Sequence, residues 1–352
     1  MPGNFTNFKE YFSKINFKKL SWIIAIEIAI VMTTATFFLQ GGDDIYRYYL
    51  PFAKGCLDCG FTPYYSYWLL WPLQFIPTNL VWPVWTAVTL AGLLLLCRYT
   101  GTNPALLLLS FPIFGQVWLG QIDILVCLGL TLALLGKNPL TRGVGFTLAM
   151  IKPQYAAIAV LFLLTRERHL IKTLIVPAFV FMLSLVVFGF NWPIEWIRHS
   201  VTNLPPHVWR LAAKDIWPVG VLLLWLPFLF KDRRERFEAG TIISVLASPV
   251  VGVYSYGIFL LFTLRNWWVV PLSYAWLLAY PFLSESALRF AWILPVVLLL
   301  KMVYDQYKTD LQTTGLRGLF SREKTGGQSG QLSKISTTLA KKPSAEAPSK
   351  MR

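Results

Sequence analysis

Two carboxylates, Asp43 and Asp44, stand directly after the first long apolar run of the chain, and Arg47, Tyr48 and Tyr49 follow them. Adjacent carboxylates have separated proton affinities, so either one is suited to take a proton from a hydroxyl at a membrane exit. Helix capping and interfacial solvation are the competing readings. Gln121 and Asp123 lie at a second exit, between two apolar runs, where they are placed to bind sugar hydroxyls or to cap helix ends. Lys152 falls inside an apolar segment, where a charge costs about 2.5–3.5 kcal/mol on insertion scales and therefore needs a partner or a function. The functional reading is a cation for a phosphate group, and the structural one is an ion pair with a buried carboxylate such as Asp123. Glu27, near the start of the first apolar run, reads as structural.

Other chemistries find little support. His199 and His207 are too far apart for one helical face at metal-ligand spacing, and His169 belongs to a different connection, so these histidines read as substrate or phosphate contacts at most. Cys56 and Cys59 form a single C-x-x-C, half of a zinc site, and are equally readable as a disulfide or as free thiols; Cys97 and Cys127 sit in apolar runs. No glycine-rich phosphate loop, nucleophile elbow or H-E-x-x-H is present. No cofactor is called for, and although a divalent metal is compatible with the chemistry, no ligand set supports one.

The elements that position these residues are membrane helices. Of 352 residues, 55% are hydrophobic and only 14% charged, and the mean hydropathy is +0.54, which excludes an ordinary soluble domain. The excess of 15 positive charges lies in short connections and in the C-terminal segment, so it reads as topology information and not as a nucleic-acid footprint. Lys9, Lys14, Lys18 and Lys19 precede a first span at Ser21–Leu39 that lacks a cleavage site, which predicts a cytoplasmic N-terminus and an extracytoplasmic Asp43–Asp44 loop.

Further spans are expected at Leu80–Cys97, Pro104–Leu119, Ile122–Gly136, Leu174–Phe190, Ile216–Phe230, Trp267–Leu283 and Leu288–Tyr304. Two segments are interrupted, Gly143–Leu164 at Lys152-Pro153 and Gly240–Leu264 at Ser248-Pro249. Both flanks of the first are basic, so it either enters, breaks and leaves by the same face, or crosses as one kinked helix. The fold class is all-α, a polytopic membrane bundle of roughly ten to twelve transmembrane or re-entrant helices with short outer loops. A second outer loop, 191–215, holds His199, His207, Arg210 and Lys214 and is the natural partner of the first. A transmembrane domain over 1–304 is followed by a basic segment, 305–352, whose Lys, Ser, Gly and Pro content predicts a disordered cytoplasmic tail.

The order of these signals, Asp44 with Tyr48 after the first span, then Gly120-Gln121-x-Asp123, then Lys152-Pro153, then Ser248-Pro249, resembles the polyprenol-phosphate-sugar-dependent glycosyltransferases of the GT-C superfamily. The likeness is specifically to glycosyltransferase family 87, typified by bacterial mannosyltransferases, and runs from about Lys19 to Tyr304. The resemblance implies a GT-C-like bundle in the cell membrane and an inverting transfer of a sugar, mannose by family habit, from a polyprenyl-phosphate donor to a glycolipid or glycan acceptor on the extracytoplasmic face. It implies Asp44 as the catalytic base, with Asp43 as the fallback. Lys152, helped by Arg210 or Lys214, would hold the donor phosphate. Arg47, Tyr48, Gln121, Asp123, His199, His207, Tyr254 and Tyr256 would contact substrate. Two departures stand out: Val253-Tyr254-Ser255-Tyr256 lacks the histidine usual after the Ser-Pro element, and the Gly-Asn-Gln-Ser type segment is not recognisable. The rival readings are a flippase for lipid-linked sugars, which the lack of an internal repeat disfavours, and a non-catalytic subunit that binds lipid carriers.

Overall fold

A computed structural model describes residues 17–203 and 216–325, with side chains through residue 311. The described residues form helices joined by short turns and contain no strand. The chain divides into two compact units, Met1–Val303 and Tyr304–Arg352. All of the candidate site residues belong to the first. Three helices are long and apolar enough to cross a membrane by length and composition, Thr78–Thr100, Leu170–Phe188 and Ala275–Leu311. Helix α1 (Phe17–Ala35), expected as the first span, is not among them, because Lys18, Lys19 and Glu27 fall within it. Its Ile23, Ile26, Ile30 and Val31 are nevertheless exposed.

Helix α2 (Thr78–Thr100) spans the bundle and ends on Gly101. The expected span 104–119 is two helices, Pro104–Leu108 and α3 (Phe111–Leu119). Pro112 cannot donate into the preceding turn, and the groups freed by the break are met from elsewhere: Ser273 Oγ accepts from Phe111 N at 3.0 Å, and Tyr274 donates to Leu109 O at 3.0 Å. Proline explains a similar correction downstream. The expected span 267–283 is divided between a short helix, Val269–Ser273, and the 3-10 and α turns Ala275–Ala279 and Tyr280–Leu283 that begin the continuous stretch Ala275–Leu311, with Pro271 and Pro281 among them, and 216–230 is divided at Leu223–Trp225.

The centre of the bundle is a tight hairpin of α4 (Asp123–Leu135) and α5 (Pro139–Ala149). Gly129 and Gly145 face each other there, and a Cβ on Gly129 would land on Ala149 N while one on Gly145 would land on Ala133 N. Two helices approach so closely only where small residues meet. Helix α6 (Pro153–Leu164) returns from the break at Lys152, and its Tyr155, Ala156 and Ala159 are buried. Helix α7 (Leu170–Phe188) lies outside this core and exposes Ile171, Phe179, Met182 and Val186, an apolar surface suited to lipid. Helix α8 (Trp192–Thr202) then packs on the first loop, with Trp196 Nε1 donating to Phe61 O at 3.0 Å and Trp192 stacked on Tyr64.

Both interrupted segments return to the end from which they start. Arg142, at the start of α5, forks onto Glu167 just after α6 at 2.6 and 2.8 Å, so the two flanks of the Lys152 break meet. Helix α9 (Arg233–Leu246) runs to the Ser248-Pro249 break, and α10 (Gly257–Thr263) returns from it to Arg265, which binds Glu238 of α9 at 2.8 Å. Of the two sequence readings for Gly143–Leu164, the structure takes the one in which the chain enters, breaks and leaves by the same end. Helix α11 (Ile293–Thr325) runs on past Tyr304. Within its first turns beyond Tyr304, Gln306 donates to Asp310 at 3.2 Å, an i,i+4 pair that favours helix.

Candidate functional site

The chain emerging from α1 is fixed in register by Gly42 N, which donates to Trp118 O at 2.7 Å. Gly120 ends α3 in the left-handed region at φ 70°, and Ile45 lies so close that a Cβ on Gly120 would meet it at 2.9 Å. Glycine meets both demands at once. Trp82 and Trp85 of α2 lock the same turn, donating to Val117 O at 2.8 Å and to Gln121 O at 2.9 Å. The first loop is thereby pinned to the hairpin that carries Gln121 and Asp123.

Residues Ile45–Tyr49 form a π-helical turn, an uncommon geometry often found at functional sites. It puts Asp44 and Tyr49 on the same inward side. Tyr49 is buried and donates to Gln121 Oε1 at 2.9 Å, while Gln121 Nε2 donates to Asp44 Oδ2. Lys152 Nζ donates to Gln121 Oε1 at 2.5 Å and pairs with Asp123 Oδ1 at 2.5 Å. Gln121 therefore bridges a carboxylate, which only accepts, and an ammonium, which only donates, and this fixes which end of its amide faces which group. Two of the three ammonium N–H groups are used, and the rings of Tyr155 and Tyr254 flank the ion at 5.7 Å each. The second oxygen of Asp123 is buried and has no hydrogen-bond partner among the described residues. The ion pair with Asp123, the structural alternative for Lys152, is thus present, and it leaves one ammonium N–H and one carboxylate oxygen for a ligand.

The breaks in the two re-entrant segments meet here. Lys152 occupies the first, and Val253–Tyr256 lies just past the second. Gly252 N donates to Tyr155 at 3.2 Å, tying one break to the other.

The neighbouring carboxylates differ. Asp43 is exposed and forms a 3.8 Å pair with the exposed Arg47, whereas Asp44 is half-buried within the cluster. Burial pushes the Asp44 carboxyl up to about 6; Lys152 opposes that shift, Asp43 and Asp123 add to it, and Arg47 opposes it. A carboxylate so placed takes protons near neutral pH.

Among the residues expected from sequence, Asp44, Gln121, Asp123, Lys152 and Tyr254 come together. Asp43 and Arg47 point away as a surface pair. Tyr48 packs edge-on against Phe61 at 5.3 Å, and His199 stacks on that same ring at 5.6 Å, so both line the seam between the two loops. Tyr256 is buried with its ring against Phe259. His207, Arg210 and Lys214 lie outside the described residues. Tyr155 and Trp85 escaped the sequence reading, and Tyr49 was noted beside the carboxylates without being assigned to the site. Four-residue spacing selected Tyr48, whereas a π turn brings the fifth residue round; Tyr155 was visible in principle as the first-turn neighbour of Lys152-Pro153. Cys56 and Cys59 are joined in a disulfide on the same loop, with Cα atoms 5.4 Å apart. No group of three His, Cys, Asp or Glu side chains suited to a metal occurs among the described residues.

Searches of the curated proteins and of the solved structures return no match. A family model, glycosyltransferase family 87, matches residues 63–251. That span includes Gln121, Asp123, Lys152 and the Ser248-Pro249 break; Asp43 and Asp44 precede it, and Tyr254 follows it.

Proposed function

Because the chain belongs to glycosyltransferase family 87, we propose that it transfers a sugar from a polyprenyl-phosphate donor to a glycolipid or glycan hydroxyl at the extracytoplasmic face of the cell membrane, with inversion at the anomeric carbon and Asp44 as base. The observation that carries this reading is the chain of contacts Asp44–Gln121–Lys152–Asp123 at the meeting point of two helix breaks. It places a proton acceptor and a cation on either side of one amide, as a displacement at a sugar phosphate requires.

In this reading the donor enters from the lipid with its phosphate against the remaining N–H of Lys152. Asp44 takes the proton of the acceptor hydroxyl. The hydroxyl oxygen bonds to the anomeric carbon as the bond from that carbon to the phosphate oxygen breaks, and polyprenyl phosphate leaves with the electron pair. A charge-assisted bond to Lys152 stabilises the leaving oxygen as its charge grows. The partnerless oxygen of Asp123 is the natural acceptor for a sugar hydroxyl. One base suffices, in contrast to the paired carboxylates of most glycosidases. Mannose is the family's usual sugar and the one to try first.

The outer placement draws support from the Cys56–Cys59 disulfide on the Asp44 loop, since such bonds persist in oxidising compartments, and from the basic residues gathered at the opposite helix ends. A flippase shares the broken helices, but family membership favours transfer. The experiment is transfer from polyprenyl-phosphate-mannose to native membrane glycolipids by the purified protein, followed by mass spectrometry. Product from wild type, and none from a folded Asp44→Asn variant, is the expected result; equal product from both removes Asp44 as base.

A further inference from the structure

Helices α4, α5, α6 and α9 each have one end at the Gln121–Lys152 cluster or the break facing it, and their other ends converge elsewhere. At 1.5 Å per residue that second place lies about 16–20 Å away. A cavity of ≈ 560 Å³ opens there, lined by Lys137 from the α4–α5 turn, Arg142 at the start of α5, Arg166 and Arg168 after α6, and Arg233 and Arg236 at the start of α9. Among the described residues Glu167 is the one carboxylate in the lining, and both of its oxygens are taken by Arg142.

A basic turn on the cytoplasmic side of a membrane protein needs only exposed charges. This cavity has more. Arg236 is only 8% exposed, and its Nε and Nη2 donate to a backbone carbonyl, Phe230 O, at 3.3 and 2.7 Å. No carboxylate pairs with it among the described residues. Nearby arginines are treated differently: Arg142 has Glu167, and Arg234 and Arg265 share Glu238. A guanidinium that is buried without an anion is costly, and here it faces a cavity lined by Lys137 and four further arginines.

We propose that this cavity is a second ligand site, specific for a phosphate-bearing anion and separate from the transfer site. Guanidinium groups from the start of α5, the turn after α6 and the start of α9 line it, the arrangement that planar, multidentate phosphate recognition uses. The anion is either the headgroup of an anionic phospholipid, which basic pockets between membrane helices hold, or a free phosphate. Bound there, it would tie together the flanking ends of both re-entrant segments, opposite the breaks at Lys152 and Ser248-Pro249.

The test uses the full chain in two preparations. In phosphatidylcholine nanodiscs doped with phosphatidylglycerol, the lipid retained after extraction is counted by native mass spectrometry; in lipid-stripped detergent micelles, inorganic pyrophosphate is titrated calorimetrically. Wild type is expected to retain phosphatidylglycerol or to bind pyrophosphate saturably, the preparation that responds identifying the source. Arg166→Gln/Arg233→Gln, both exposed and safe for folding, should weaken that binding on the order of tenfold per guanidinium removed, as should Arg236→Gln where it folds. Arg98→Gln, a control at an exposed cation outside the cavity, should leave binding unchanged. Absence of binding to wild type in both preparations, equal binding by the double variant, or an equal loss in Arg98→Gln would overturn the proposal.

Discussion

The amide of Gln121 donates to Asp44, a residue from a different loop, and this contact selects one of two adjacent carboxylates to face the interior. The other, Asp43, is left in an exposed pair with Arg47. Adjacent residues in a helical turn point roughly 100° apart, so only one of them meets Gln121.

Asp44→Asn is therefore expected to lower transfer by about 10²–10⁴, the usual worth of a positioned base, while Asp43→Asn stays within about threefold of wild type, since exposed pairs contribute about 0–1 kcal/mol. Parallel kcat/KM measurements on both variants check this. Equal losses from both would show that the pair acts as a unit.

The carboxyl of Asp44, raised to about 6 by burial, predicts an acid limb in kcat/KM with its midpoint near pH 6. The stability effect has the opposite sense. Between its ordinary 3.8 and about 6 the folded state holds this proton and the unfolded state does not, so this group's contribution to stability falls as pH rises through that window. Asp44→Asn should abolish that part of the pH dependence in thermal unfolding curves.

Lys152→Met leaves Asp123 buried with neither oxygen paired to a cation. A loss of about 3–5 kcal/mol is expected, as for other broken buried pairs. Lys152→Met/Asp123→Leu should recover much of that stability in a melting experiment yet remain inactive, which separates the structural work of the ion pair from its chemistry.

Gln121→Leu removes the bridge but keeps the side chain's bulk. Transfer should fall by about 10²-fold, and the acid limb should move, because Asp44 loses a hydrogen bond that favours its ionised form. An unshifted pH profile would mean that Gln121 does not hold Asp44 in the active protein.

Gly129→Leu places a side chain where the α4–α5 backbones touch. Overpacking costs about 1–3 kcal/mol or more, and the hairpin it splays carries Asp123 at one end. A lower melting temperature together with a raised KM is expected.

Much of the architecture was already decided in the one-dimensional pattern. The apolar runs set an all-helical membrane bundle, because an unsatisfied backbone cannot sit in lipid. Pro153 and Pro249 marked where two of those runs stop, since proline lacks the donor a helix needs. The order Asp44, Gln121, Asp123, Lys152 carried the family resemblance. What the pattern left open depended on contacts between distant segments. Whether Gly143–Leu164 crosses or turns back was settled by Arg142 meeting Glu167. Which carboxylate faces inward was settled by Gly42 docking on Trp118 and Ile45 on Gly120, and the partner of Lys152 by the approach of α4 to the break before α6. Periodicity reports which residues share a face of one helix. Which face meets which neighbour depends on packing across the whole bundle, and a backbone turn as local as the π turn at Ile45–Tyr49 shifts that choice by one residue, from Tyr48 to Tyr49.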